Sequence, residues 1–250
     1  MENVEKTTEN SGIRINKYLS QAGVLSRRKA DEAILNGEIT INGRIAEPGD
    51  RVEEGDRVLY RGNEVSQKSR KKVVLAYNKP LGLVCTSKEA DKDSIFRKLD
   101  YPDMLYYVGR LDKNSHGLLL LTNDGELANQ LQKARNNHEK EYVVKVDKPL
   151  TRQFLEGMTA GVPLEERKTK PCKIIRVRTS ADGDFSKDTF RVIITEGINH
   201  QIRRMCEYFG YRVVALKRVR VMNVKLGKLA PGEYRELTEE EERILRNKCR

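Results

Sequence analysis

Gly109-Arg-Leu-Asp-Lys-Asn-Ser-His-Gly-Leu-Leu-Leu-Leu-Thr-Asn-Asp-Gly125 sets a polar loop, bounded by two glycines, directly before a run of four leucines. The apolar run is too short for a helix and reads as a buried strand, with a helix beginning at Asp124, a capping residue. A loop held on the edge of a rigid strand is where reactive groups are commonly placed. Asp112, Ser115 and His116 are its polar candidates, although Asp and Ser are also ordinary turn formers.

Around this segment, Val73 to Tyr77, Leu83 to Thr86, Tyr142 to Val146, Cys172 to Val177 and Phe190 to Thr195 are further short strand candidates rich in β-branched and aliphatic residues. Helices are predicted over Asp124 to Ala134, Thr151 to Met158 and Asn199 to Phe209, each opened by a capping side chain, and Thr238 to Glu241 forms a capping box. Strands and helices mix without strict β-α-β alternation, so an α+β domain with a mostly antiparallel mixed sheet, flanked by helices, is expected. In the third helix Ile202, Met205, Cys206 and Phe209 share one face, while His200, Arg203, Arg204 and Glu207 share the other. That polar face is either a basic unit presented to a ligand or a solvated surface with an Arg204–Glu207 pair.

Upstream, Ile15, Tyr18, Leu19 and Ala22 have helical spacing up to Gly23, and a second helix follows from a Ser26 cap to Asn36-Gly37. Ile39 to Ile41, Asn42-Gly43 and Arg44-Ile45 read as a hairpin, with short strands near Val52 and Val58 to Tyr60. The expected layout is a disordered tail over 1–12, a small domain over 13–60, a polar linker over 61–72, a larger domain over 73–243 and a tail over 244–250.

The chain has 250 residues and a formal net charge of +11, with 48 Lys and Arg against 37 Asp and Glu. No apolar run approaches the roughly 20 residues of a bilayer span, and Met1 to Gly12 lacks a signal-peptide pattern. A cytoplasmic protein without membrane attachment is expected, monomeric by default. Cys85, Cys172, Cys206 and Cys249 are widely separated, which suggests neither a disulfide framework nor a metal site. Residues 1–70 are balanced at 12 cations and 12 anions, yet Arg14, Lys17, Arg27, Arg28 and Lys29 gather with no acid among them over 11–30. The last three open a helix, where the macrodipole disfavours cations by a few tenths of a kcal/mol. A phosphate at the free N–H groups there would reverse that sign. Arg203 to Lys228 is a second basic stretch, and two such surfaces point to a long polyanion.

Ile13-Arg-Ile-Asn-Lys-Tyr-Leu, Gly23-Val-Leu-Ser-Arg-Arg-Lys-Ala and Gly37-Glu-Ile-Thr-Ile-Asn-Gly resemble an S4 (α-L-like) RNA-binding domain. The loop at Gly109 to Gly125, Lys140-Glu-Tyr142, Glu196-Gly-Ile-Asn-His-Gln-Ile-Arg203-Arg-Met and Leu216-Lys-Arg218 are similar to the signature blocks of the RsuA-like family of ribosomal RNA pseudouridine synthases. That family joins the two domains in this order. Asn136-Asn-His-Glu-Lys-Glu-Tyr and Arg203-Arg-Met-Cys-Glu-Tyr-Phe-Gly-Tyr look like the RluF-like branch, which acts on 23S ribosomal RNA and in some members on a tRNA anticodon loop. His200 departs from the arginine of that branch, which bears on the substrate and not on the reaction.

The resemblance implies that a uridine becomes pseudouridine: N1–C1′ breaks, the bound uracil turns, and C5 bonds to C1′. No redox step or external group is required, so no cofactor is expected. By the same resemblance Asp112 is the essential carboxylate, acting on the sugar or the base. Arg203 would pair with it and hold its rotamer, Tyr142 would stack on the uracil, and Leu216 would pack against it. Arg110 would contact RNA or fill the space of the flipped base. Arg204, His200, Arg14, Arg27, Arg28 and Lys29 are the remaining candidate RNA contacts. The target base must leave its stack, at a cost of a few kcal/mol, so a structured RNA with an accessible uridine is the expected partner. A catalytically silent ribosome-assembly factor is the alternative from another class, and it predicts damage to Asp112, Tyr142 or Arg203, all of which are present.

Overall fold

A computed structural model of the chain describes residues 12–66, 71–87, 91–133, 137–179 and 184–248. The expected tail over 1–12 therefore lies almost wholly outside the described residues. Two compact units part between Lys72 and Val73.

The first unit opens with β1 (Ile13–Arg14) and α1 (Ile15–Gln21), which buries Ile15 and Leu19. In α2 (Arg27–Leu35) the Ser26 hydroxyl accepts from the Lys29 amide at 3.3 Å, and Ala30, Ala33 and Ile34 face inward. β2 (Ile39–Ile41) and β3 (Arg44–Ile45) form the hairpin. Asn42 and Gly43 at its tip have φ of 51° and 83°, as a two-residue turn with both central residues left-handed requires. β4 (Arg51–Val52) pairs with β1, and β5 (Val58–Tyr60) joins β2 to β6 (Asn63–Glu64). This last strand corrects the linker expected from residue 61. Arg61 grips Glu38 through two hydrogen bonds of 2.9 and 3.0 Å, and Val65 is buried beneath the Tyr18 hydroxyl, which donates to its carbonyl. One apolar residue in a polar stretch is too little periodicity to announce a strand.

The second unit is one large sheet with helices on both faces. Its elements are β7 (Val74–Lys79), α3 (Ile95–Lys98), β8 (Tyr106–Val108), β9 (His116–Thr122), α4 (Gly125–Gln132), β10 (Lys140–Val146) and α5 (Arg152–Ala160). They are followed by β11 (Lys173–Arg178), β12 (Phe185–Ile194), α6 (Gln201–Tyr208), β13 (Val213–Val221), β14 (Val224–Lys225), β15 (Tyr234–Glu236) and α7 (Glu239–Asn247). Strand order is β11-β12-β10-β13-β9-β7-β15, with β8 on β9 and β14 on β13. Every pairing is antiparallel except the short parallel seam of β13 with β9, so the fold is the expected α+β with a mostly antiparallel mixed sheet.

Leu118 to Leu121 are unexposed because β9 is covered twice. Leu119 and Leu121 join Tyr77, Val144 and Phe190 under α5 and α6, whereas Leu118 and Leu120 join Val74 and Ala76 under α4 and α7. A central strand covered on both faces loses its polar alternation. Asp124, Thr151 and Thr238 each accept amides of their helices as predicted, whereas α6 is entered at a left-handed His200 with no side-chain cap, so the cap expected at Asn199 is absent.

Three expectations need correction. Leu83 to Thr86 is not a strand; Val84 makes an isolated bridge to Ser94, and buried Cys85 holds the Leu111 backbone. The basic stretch from Arg203 is not a surface throughout, since β13 runs inside the sheet, Arg218 is 2% exposed, and Arg220 is tied to Glu141 and Glu139. Residues 244–247 are not a tail: α7 continues through them and Leu245 is fully buried against the sheet.

Candidate active site

The loop ahead of β9 is fixed from several sides. The Lys79 ammonium, wholly buried, donates to the Ser115 carbonyl at 2.8 Å, and Arg203 donates to the Asn114 carbonyl at 2.7 Å. Lys113 pairs with Asp93 at 2.7 Å, and the Ser115 amide closes a turn on the Asp112 carbonyl. The backbone is thereby preorganised while the Asp112 carboxylate stays 39% exposed, with His200 Nε2 at 3.5 Å. His200 holds a left-handed conformation at the entry to α6, an uncommon state for a non-glycine residue that is enriched at functional sites.

Asp112 stands in a cleft of about 470 Å3 whose lining includes Arg110, Tyr142, Leu216, Arg218, Lys140 and His138. β10 and β13 supply its floor. Tyr142 and Arg218 are register partners next to an irregularity in that ladder, the kind of bulge that re-aims side chains. Leu216 and Arg218, two apart, share a face of β13. The Arg218 Nε donates to the Leu118 carbonyl at 2.6 Å and Nη1 to the Arg110 carbonyl at 3.4 Å, while Nη2 is buried without a partner among the described residues. Gly117 makes this crossing possible: its φ is 106°, and a Cβ there would overlap the Arg218 carbonyl oxygen.

The floor is strongly cationic. Burial pushes the Lys140 ammonium below its ordinary value, Arg218 acts in the same direction, and Glu196 opposes. Burial likewise lowers Lys79, with Cys85 and Asp112 opposing. Glu196, 5% exposed, accepts from the Lys170 amide and Gln201 and pairs with Arg167 at 2.7 Å. Such a site suits an anionic, planar guest beside the partly exposed Asp112 carboxylate. Among the described residues no group of three or more His, Cys, Asp or Glu stands together as a metal site, and no helix is long and apolar enough to cross a membrane.

Of the residues singled out from the sequence, Asp112, Arg110, Tyr142, Leu216, His200 and Ser115 line the cleft together. Arg203 does not pair with Asp112; its guanidinium serves the loop backbone and approaches the Ser115 hydroxyl at 3.4 Å. Arg204 is clamped by Glu166 through two 2.8 Å bonds and does not pair with Glu207. His116 opens β9 outside the cleft lining. Arg218, Lys140, Lys79 and His138 were missed. Reading 213–221 as a strand would have placed Arg218 beside Leu216 by period-two spacing, and the same spacing sets Lys140 beside Tyr142.

In the first unit, Arg14, Lys17, Arg27 and Arg51 line a separate depression of about 300 Å3, while Arg28 and Lys29 lie exposed outside it. Arg51 was also missed. It sits directly opposite Arg14 in the β1–β4 pair, and facing like charges destabilise a strand pair unless an anion lies between them.

The second unit thus holds a cleft that gathers the Asp112 carboxylate, the Tyr142 ring and the buried Arg218 guanidinium, and the first a cationic depression, the outline of an enzyme for a polyanionic substrate. A model of RNA pseudouridylate synthase matches residues 73–208, and a model of the S4 domain matches residues 13–58. The dual-specificity RNA pseudouridine synthase RluF of Escherichia coli (strain K12) is 44% identical over 92% of this chain and 77% of its own length. The ribosomal large subunit pseudouridine synthase B of Bacillus subtilis (strain 168) is 36% identical over 93% and 95%. A crystal structure of a pseudouridylate synthase superposes with a TM-score of 0.67 at 29% identity, covering 94% of this chain and 100% of that one. The chain belongs to the RNA pseudouridylate synthase family, and it is an RNA pseudouridine synthase with an N-terminal S4 RNA-binding domain.

Proposed function

We propose that the chain isomerises a uridine of 23S ribosomal RNA in the cytoplasm, with Asp112 as the reacting carboxylate. The observation that carries this reading is the convergence of Asp112, Tyr142, Leu216 and Arg218 on one cleft. A flipped uracil enters between Tyr142 and Leu216, its faces covered by an aromatic ring and a leucine. Arg218, and not Arg203, supplies the buried positive charge that orients the reacting groups, since its Nη2 is uncommitted. Arg203 acts through the loop that carries Asp112. As N1–C1′ breaks and C5–C1′ forms, the C5 proton leaves and N1 gains one, so no atom of the base is lost. The Tyr142 hydroxyl is the group placed to relay that C5 proton.

The large ribosomal RNA is favoured by the name of the Bacillus subtilis relative, and the dual specificity named for RluF makes a tRNA loop the second reading. The Arg14, Lys17, Arg27 and Arg51 depression adds a phosphate-binding surface on the same chain. The test is pseudouridine mapping on purified ribosomal RNA and tRNA, incubated with the protein or with Asp112→Asn. A new pseudouridine in 23S RNA that requires Asp112 is expected. Modification of tRNA alone would overturn the ribosomal assignment, and a fully active Asp112→Asn would overturn the assignment of the carboxylate.

A further inference from the structure

The cleft extends beyond the uracil position. Lys140 lies two residues before Tyr142 on β10, and His138 lies two before that, ahead of the strand; all three line the same space. The opposing strand follows, since Val221 pairs with Lys140 and the Met222 amide donates to the Glu139 carbonyl. Leu131, Val221 and Met222 are the apolar side chains lining this end. A cleft of about 470 Å3 holds a drug-sized guest, more than one pyrimidine ring.

His138 is 8% exposed, and Nε2 is buried without a partner among the described residues. Its ring bonds the Gln130 backbone, and burial followed by Lys140 holds it below the ordinary histidine value, which keeps it neutral. A neutral imidazole that donates one N–H to a carbonyl presents its other nitrogen as an acceptor. A buried acceptor is ordinarily satisfied, and none of the described residues satisfies this one.

We propose that this end of the cleft is a second nucleobase subsite, which takes the base of a nucleotide next to the target uridine and accepts an N–H from its pairing edge at His138 Nε2. A phosphodiester carries no donor and would leave a neutral imidazole acceptor unpaired, whereas the pairing edge of a base supplies the missing N–H. Flipping the uridine strips its neighbour of a stacking partner, and the subsite replaces that contact. The inference rests on the pseudouridine synthase reading of the cleft.

The experiment uses whichever RNA the wild-type protein modifies, as a transcript in which each nucleotide flanking the target is replaced in turn by an abasic residue. For the wild type, one such replacement is expected to lower kcat/KM about tenfold. His138→Leu should lose a similar factor on the intact RNA and nothing further on that abasic RNA, while His138→Gln, which retains an acceptor, keeps part of the discrimination. Indifference of the wild type to every flanking abasic site overturns the subsite, as does an equal loss by His138→Leu on intact and abasic RNA. If the leucine variant does not fold, the wild-type and glutamine profiles decide. Modification of tRNA in place of ribosomal RNA would remove the ribosomal assignment while leaving the subsite testable on that tRNA.

Discussion

Replacing Arg218 by methionine separates the two arginines that compete for the role of partner to Asp112, the carboxylate proposed to react. Arg218, which lines the cleft, is 2% exposed and commits Nε and Nη1 to the carbonyls of Leu118 and Arg110, leaving Nη2 buried without a partner among the described residues. Methionine keeps an unbranched apolar stem and removes the charge. Losing the 2.6 Å bond to Leu118 costs about 1.5–3 kcal/mol, offset in part because an incompletely paired cation no longer has to be buried. The net destabilisation is about 1–2 kcal/mol, which for a domain of this size lowers Tm by roughly 2–8 °C. Removal of a preorganised charge at the reacting centre costs about 10²–10³ in kcat, roughly 2.7–4 kcal/mol. Arg203→Met loses the 2.7 Å bond to the Asn114 carbonyl and loosens the loop, an effect of about tenfold. Single-turnover pseudouridine formation at saturating enzyme, beside thermal melts and RNA-binding isotherms, distinguishes them. A rate for Arg218→Met within tenfold of wild type, or a slower rate for Arg203→Met, would refute this assignment.

Gly117→Ala forces a Cβ onto the Arg218 backbone at a φ of 106°, so stability should fall by about 1–3 kcal/mol and kcat should drop more than RNA affinity; a variant melting with wild type would contradict the close approach. Arg14→Glu with Arg51→Glu should weaken RNA binding and flatten the slope of log K against log salt by about 1.4–1.8, and an unchanged slope would remove the Arg14–Arg51 depression from RNA recognition. The Glu241 carboxyl is held below its ordinary value chiefly by Arg235. A depressed folded-state value means that this contribution is present above the unfolded value and lost as pH falls through the folded one. Acidification below about pH 4 should therefore release α7 early, visible as loss of hydrogen-exchange protection at Leu245 and Arg246; protection persisting there while the sheet melts would count against it.

What was legible in the sequence follows from the range of the physics involved. Caps at Ser26, Asp124, Thr151 and Thr238 were readable because a helix start is decided within four residues, and the structure places all four. The Asn42-Gly43 turn was readable for the same reason. β13 was not: Val213 to Val221 mixes apolar residues with three cations, Lys217, Arg218 and Arg220, and cations read as surface until one knows that Arg218 reaches a carbonyl 100 residues away. The Arg14–Arg51 pair and the His138 end of the cleft were hidden likewise, since each depends on a strand pairing or a burial that no local pattern encodes. The motif blocks located Asp112, Tyr142 and Leu216, but the choice between Arg203 and Arg218 turns on which guanidinium reaches the cleft.

The parallel contact of β13 with β9 gives the protein an order of assembly. Asp112 precedes β9, which meets β7 in a six-pair antiparallel ladder, whereas Leu216 and Arg218 arrive on a strand that pairs with β9 at two register positions. Closing a span of about a hundred residues costs more entropy than closing the short β11–β12 connection. Completion of the cleft therefore depends on that seam: a chain whose other ladders have formed but whose seam is still open has most of its strand content while Asp112 and Arg218 remain apart. Turnover, and not secondary structure, reports that the molecule is finished.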